Sequence, residues 1–177
     1  MKLIALSGKR GSGKTSCANY LKNQYGAIII SLATPIKEEL VAMGFDKELV
    51  YAKPTPPEIR GLMVALAKAR RYVDIDHYVK VFMKKLAVLY TAGTDLVVCD
   101  DLRHTNEKNR FRDYGASIIR VECPDLWDHQ EFTKGIDDDI SEIDLDSYHG
   151  FDYVIRANKG KLCSMFEQLV ATMEEIK

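Results

Sequence analysis

The apolar run Leu3-Ile4-Ala5-Leu6 passes through Ser7 straight into Gly8-Lys9-Arg10-Gly11-Ser12-Gly13-Lys14-Thr15, and a helix-compatible stretch, Ser16 to Asn23, follows. No other feature constrains the fold as strongly: a buried strand, a turn of the form G-x-x-x-x-G-K-T, then a helix. The glycines let the backbone curl so that several N–H groups face one anion, and the helix adds its positive N-terminal end. Lys14 can reach the β- and γ-phosphates, and the Thr15 hydroxyl is placed to hold Mg²⁺. The expected phosphate contacts are therefore Gly8, Lys9, Arg10, Gly11, Ser12, Gly13, Lys14, Thr15 and Ser16. The pattern implies a bound nucleoside triphosphate and leaves open what becomes of its phosphate.

The rest of the chain alternates short apolar runs with helical segments. Strands are expected over Lys2–Ser7, Ala27–Ser31, Asp95–Cys99, Ser117–Cys123 and Tyr153–Ile155. Helices are expected over Lys14–Gln24, Pro35–Met43, Pro57–Ala69, Asp76–Thr91, Thr105–Tyr114 and Lys161–Glu175. Pro35 and Pro57 suit first helical turns, and Gly26, Gly44 and Gly115 sit where helices should stop. The alternation predicts an α/β fold with a five-stranded parallel sheet and helices on both faces. With 177 residues the chain fits one domain. Its core would comprise residues 1–32, 94–123 and 152–177, interrupted by a helical insertion at about 33–93 and a lid-like excursion at about 124–151.

Composition narrows the partners. A net charge of −1 argues against broad nucleic-acid binding. Cys17, Cys99, Cys123 and Cys163 lack paired short spacings, so no zinc site is expected and the thiols read as reduced. The residues before the glycine-rich turn do not form a signal peptide, and no apolar run approaches the roughly 20 residues that cross a bilayer. The expectation is a cytoplasmic chain that does not engage a membrane.

Several residue groups can carry chemistry. The run Leu96-Val97-Val98-Cys99 ends in Asp100-Asp101-Leu102-Arg103. A carboxylate there lies near the phosphate loop and can hold Mg²⁺. Adjacent residues on an extended chain point to opposite sides, so one aspartate faces the metal: Asp101 first, Asp100 second. The planar guanidinium of Arg103 suits a bidentate phosphate contact. In the insertion, Lys37, Arg60, Arg70, Arg71 and Tyr78 mix cations with aromatic and methionine side chains, as a pocket for an anion on an organic body would.

The excursion differs. From Pro124 to Gly150 its only lysine or arginine is Lys134, against Asp125, Asp128, Glu131, Asp137, Asp138, Asp139, Glu142, Asp144 and Asp146. A lid clamping a triphosphate usually supplies arginines, because charge on the transferring phosphoryl group must be balanced. Here that charge must come from Lys9, Arg10, Arg103, Arg110 or Arg112, with Arg10 favoured because it sits inside the loop. The acidic run itself is either a solvated surface or a means of positioning basic side chains of the acceptor site.

Together these residues resemble the nucleoside-monophosphate-kinase branch of phosphate-loop proteins. Likeness to bacteriophage-type deoxynucleoside monophosphate kinases lies in Met1-Lys2-Leu3-Ile4 with Ser7-Gly8 and in Leu32-Ala33-x-Pro35-Ile36-Lys37. It continues in Arg60-x-Leu62-Met63-x-Ala65-Leu66, His77-Tyr78-Val79-Lys80-x-Phe82 and Asp101-x-Arg103. The chain is also similar to animal-type phosphomevalonate kinases, in Ser7-Gly8-Lys9-Arg10-x-Ser12-Gly13-Lys14, Phe111-Arg112-x-Tyr114-Gly115 and a run from Phe132 to Ile155.

The resemblance implies a three-layer α/β/α P-loop NTPase fold and transfer of the ATP γ-phosphoryl group, with Mg²⁺, to a phosphomonoester. A deoxynucleoside monophosphate is the favoured acceptor; phosphomevalonate or another small phosphomonoester is the alternative, and an ATP-dependent regulatory switch is a more distant one. Lys14, Arg10, Asp101 and Arg103 would carry catalysis, and Arg60, Arg71 and Arg103 would align the acceptor phosphate. The turn at Asn158 would pass the adenine. The residues leave open whether the chain forms a homodimer.

Overall fold

The apolar runs become strands β1 (Lys2–Ser7), β2 (Ile28–Ile30), β3 (Leu96–Leu102), β4 (Ser117–Glu122) and β5 (Tyr153–Arg156) in the computed structural model, which describes residues 1–126 and 139–176. They form one sheet in the order β2-β3-β1-β4-β5, every neighbouring pair parallel. The helices are α1 (Lys14–Tyr25), α2 (Thr34–Ala42), α3 (Lys47–Tyr51), α4 (Pro57–Val73), α5 (His77–Thr91), α6 (Thr105–Asp113), α7 (Ile140–Ile143) and α8 (Leu162–Glu175). No described helix is long and apolar enough to cross a membrane.

Side-chain alternation along the strands builds the three expected layers. On one face Ile4, Leu6 and Val98 pack with Cys17, Ala18 and Leu21 of α1 and Met165 and Leu169 of α8. On the other, Ala5, Val97, Cys99 and Ile118 pack with Ile36 of α2, Ala67 of α4, Tyr78 and Phe82 of α5, and Phe111 of α6. The insertion adds a small core of its own from Leu40, Val50 and Ile59. Central β1 therefore delivers the glycine-rich turn to the carboxyl edge of the sheet, where open α/β sheets bind ligands.

Some element boundaries differ from expectation. β3 runs three residues beyond Cys99, because its pairing with β1 continues from Ala5↔Cys99 to Ser7↔Leu102. Two steps on β1 span three on β3, so an extra residue is accommodated at Asp100-Asp101, a bulge of the kind that re-aims side chains beside active sites. α4 continues four residues past Ala69, and Arg70 and Arg71 sit in its last turn, where cations suit the helix dipole. α3 was not expected; Asp46 starts it by accepting from Glu48 N–H at 2.7 Å and Leu49 N–H at 3.1 Å. Of the acidic excursion, Asp128, Glu131, Lys134, Asp137 and Asp138 lie outside the described residues, as does Phe132, where the phosphomevalonate-kinase-like run begins.

Candidate active site

The loop between β1 and α1 has the backbone that its glycines permit. Gly8, Gly11 and Gly13 adopt φ of +149°, +84° and +102°. A Cβ on Gly8 would lie 2.3 Å from the Val121 carbonyl oxygen, and one on Gly13 would lie 2.9 Å from the Met165 sulfur. Both positions thus exclude side chains for conformational and steric reasons. Lys14 is buried, and its ammonium donates to the carbonyls of Gly8 at 2.5 Å and Lys9 at 2.7 Å. Burial pushes its pKa down to about 7; Arg103 adds to the effect, while Glu142 and Asp101 oppose it. The Ser12 hydroxyl is buried with no hydrogen-bond partner among the described residues. Thr15 is exposed and Ser16 half-buried at the start of α1. A cradle closed to Cβ atoms, a desolvated ammonium and an unpaired buried hydroxyl fit an anionic phosphate chain.

The two aspartates differ in their partners. Asp101 accepts from Leu32 N–H at 2.7 Å through Oδ1 and from Ala33 N–H at 2.8 Å through Oδ2, tying the end of β3 to the turn before α2. Burial and the adjacent Asp100 raise its pKa. Its Oδ1 lies 3.6 Å from Cys99 Sγ, so both residues use the same face of the sheet. Asp100 accepts from the Ser31 hydroxyl at 2.5 Å through Oδ1. By alternation it shares the face of Val98, which packs against α1, the helix that Thr15 begins.

Three elements converge on Glu142. Arg60 of α4 donates to its Oε1 at 2.5 Å, and Arg103, after β3, donates to the same oxygen. Its Oε2 accepts from the backbone N–H of Arg10 in the phosphate loop at 3.1 Å. The Glu142 side chain is only 3% exposed.

Behind this point lies a second buried carboxylate. Glu107, in the first turn of α6, accepts from the N–H groups of Arg103 and His104, both at 3.0 Å, and from the Arg71 guanidinium at 3.0 Å. Arg71 also lies 5.4 Å from the Tyr78 ring centre, and burial pushes the Tyr78 phenol up to about 12. Glu107 thus holds Arg71 directly and Arg103 through its backbone.

Other expected contacts fall elsewhere. Arg70 turns to Glu39 at 2.6 Å with its side chain 47% exposed, so it does not join Arg60 and Arg103. Lys37 lies 5.2 Å from the Tyr51 ring centre; burial lowers its pKa, Lys53 adds to this, and Asp101 and Asp100 oppose it. Arg110 pairs with Asp76 and Arg112 with Asp152, and their side chains are 54% and 38% exposed, so both are engaged away from the loop.

In the described part of the acidic excursion the carboxylates are paired. Asp139 pairs with Lys68 at 2.5 Å, and Asp144 accepts from Thr105 N–H at 2.7 Å. Asp146 pairs with Lys9 at 2.9 Å and with Arg120 at 2.7 Å. Arg120 itself was missed. It sits in β4 between Ile119 and Val121 and donates to Ser7 Oγ at 3.2 Å. An arginine inside an otherwise apolar strand run was the available signal. A cleft of about 500 Å³ beside the loop is lined by Lys9, Ser12, Arg120, Cys123, Leu126 and Arg156, among others. Asn158 lies exposed in the turn beyond β5, and Asp125 steadies that turn by accepting from Lys159 N–H at 2.9 Å.

A parallel 2-3-1-4-5 sheet with a phosphate loop after β1 is the framework of a P-loop kinase. Two solved structures show the same fold over nearly their full lengths. TT1252 from Thermus thermophilus has a TM-score of 0.57 at 17% identity, covering 99% of this chain and 98% of that one. Dephospho-CoA kinase from Campylobacter jejuni has a TM-score of 0.54 at 14% identity, covering 99% and 97%.

Relatives by sequence are also kinases. A putative deoxynucleotide monophosphate kinase of Acanthamoeba polyphaga mimivirus is 26% identical over 98% of this chain and 97% of its own. Phosphomevalonate kinase of Drosophila melanogaster is 30% identical over 88% and 87%. The phosphomevalonate kinase family model matches residues 6–116, and the chain belongs to that family.

Proposed function

We propose that this kinase transfers the γ-phosphoryl group of ATP to the phosphate of a small phosphomonoester, giving a diphosphate and ADP. The convergence of Arg60, Arg103 and the Arg10 N–H on one carboxylate carries this reading. Guanidinium groups from the insertion and from the end of β3 meet a backbone N–H of the phosphate loop at one anion-sized position, within the electrostatic reach of Lys14. An acceptor phosphate held there would face the phosphate loop, which is the positioning that phosphoryl transfer requires.

The residues then take distinct roles. Loop N–H groups and Lys14 bind the triphosphate, with Ser12 and Ser16 beside them. Arg60 and Arg103 orient the acceptor phosphate, and Arg71 backs Arg103 through Glu107. Lys9 and Arg10 supply charge from within the loop, and the turn at Asn158 borders the base. Residues 33–93 form the acceptor arm. A phosphate oxygen is already ionised near neutral pH, so no strong general base is needed. Mg²⁺, held by Thr15 and Asp100, would offset charge on the triphosphate oxygens; Asp101 instead holds the turn before α2.

Two acceptors have support. A deoxynucleoside monophosphate is favoured by the insertion motifs and by the mimivirus relative, whose name specifies that acceptor and 97% of which this chain covers. Phosphomevalonate is favoured by the family match and by the Drosophila relative. A coupled ADP-release assay with deoxynucleoside monophosphates, ribonucleoside monophosphates and phosphomevalonate decides between them. Turnover with deoxynucleoside monophosphates supports the first acceptor, and turnover with phosphomevalonate alone replaces it. ATP hydrolysis that no monophosphate stimulates would instead indicate a regulatory ATPase.

A further inference from the structure

The carboxylate of Glu142 receives what a phosphate would receive at the same point: two guanidinium donors and one N–H of the phosphate loop. This has two consequences of opposite sign. With no substrate present, the carboxylate offsets the repulsion among Arg60, Arg103 and Lys14. Before a phosphate can take the same donors, the carboxylate must leave them.

We propose that Glu142 is a resident counter-anion of the transfer site, so that acceptor binding exchanges one anion for another. The proposal rests on the reading of Arg60 and Arg103 as acceptor contacts. The short helix α7 that carries Glu142 is moored on both sides: Asp139 to Lys68, Asp144 to the Thr105 N–H and hydroxyl, and Asp146 to Lys9 and Arg120. A carboxylate tethered in this way competes at a high effective concentration and stays close after displacement. The acidic residues around α7 therefore tune affinity for the acceptor through Glu142, a role unlike that of an arginine-bearing lid. A protein whose binding-competent state is a minor one binds more weakly by that fraction, and removing the competitor removes the penalty.

The test is calorimetric binding of inorganic phosphate in the presence of ADP, which fills the nucleotide side of the loop. Glu142→Gln keeps the side chain's size and removes its charge. Phosphate should bind Glu142→Gln about tenfold tighter than wild type, as expected if about nine-tenths of the free enzyme holds Glu142 inward. Arg60→Ala should weaken binding in either background. If Arg60→Ala weakens binding while Glu142→Gln binds as wild type or worse, Glu142 only props the arginines. The exchange is then refuted, and the acceptor-site reading survives. If Arg60→Ala binds like wild type, the acceptor-site reading fails and the exchange fails with it. Should Glu142→Gln not fold, carbon-13 NMR of the Glu142 carboxyl in the wild-type protein decides the matter. A shift on phosphate addition supports the exchange, and an unchanged resonance at saturating phosphate overturns it.

Discussion

Replacing Asp101 tests the proposed division between Asp100 as metal ligand and Asp101 as structural anchor. Each oxygen of its carboxylate accepts one backbone N–H, from Leu32 and Ala33. A hydrogen bond to a charged group contributes about 1.5–3 kcal/mol, so two give an upper range near 3–6 kcal/mol. Two effects reduce the loss on truncation. Asp101 is half-buried, so water can reach part of the site, and its raised pKa means that burial and Asp100 already disfavour its charge. Asp101→Ala should therefore cost about 2–3 kcal/mol of stability. Asp101→Asn keeps one acceptor and drops the disfavoured charge, and should cost about 1 kcal/mol.

Asp100→Ala loses only the Ser31 hydrogen bond and should also cost about 1 kcal/mol. The Mg²⁺ response should run the other way. Asp100→Ala should raise the Mg²⁺ concentration for half-maximal turnover at least about tenfold, in line with losses at metal-site residues. The Asp101 variants should leave it unchanged. Urea denaturation followed by Mg²⁺ titration of each variant makes the comparison. An Asp101→Ala protein with wild-type stability and a raised Mg²⁺ requirement would refute the assignment.

Other changes have distinct signatures. Lys14→Ala should cut turnover by orders of magnitude yet leave the thermal midpoint within a few degrees of wild type, because a poorly solvated ammonium leaves with it; near-wild-type turnover would sink the assignment of the loop. Arg71→Ala should destabilise by about 3 kcal/mol, measured by urea denaturation, since it leaves the Glu107 charge buried without its guanidinium. It should also raise the acceptor KM, whereas Arg70→Ala should leave that KM near wild type because Arg70 pairs outward with Glu39. In the folded protein a thiol reagent should label exposed Cys163 first. Cys17 and Cys99 should react only on unfolding, since burial excludes reagent from both and pushes the Cys17 thiol up to about 12.

The core elements were readable in the sequence because their causes are local. The β1–loop–α1 unit is set by an apolar run, glycines at positions of positive φ and a helix-compatible continuation, all within twenty-five residues. The parallel sheet followed from alternating apolar and helical segments. The site was less legible because its contacts join distant segments: Arg60 and Glu142 are 82 positions apart, and Arg71 and Glu107 are 36 apart. An acidic run looks the same in sequence whether it faces water or a set of arginines. Alternation predicts that Asp100 and Asp101 point apart, but it could not say which would be taken by the Leu32 and Ala33 amides, since that depends on a bulge in β3. Arg70 and Arg71 look equivalent as a pair, yet adjacent positions on α4 point in different directions, one outward and one to a buried carboxylate.

Following the γ-phosphate of ATP distinguishes transfer to a phosphate acceptor from hydrolysis. ATP labelled at that position should be incubated with the protein, Mg²⁺ and each candidate monophosphate, and the products separated chromatographically. Label should appear in the terminal phosphate of a diphosphate product with one ADP per product formed, and both should be lost in Arg60→Ala. Label recovered only as inorganic phosphate, at a rate no monophosphate changes, would contradict transfer to an acceptor.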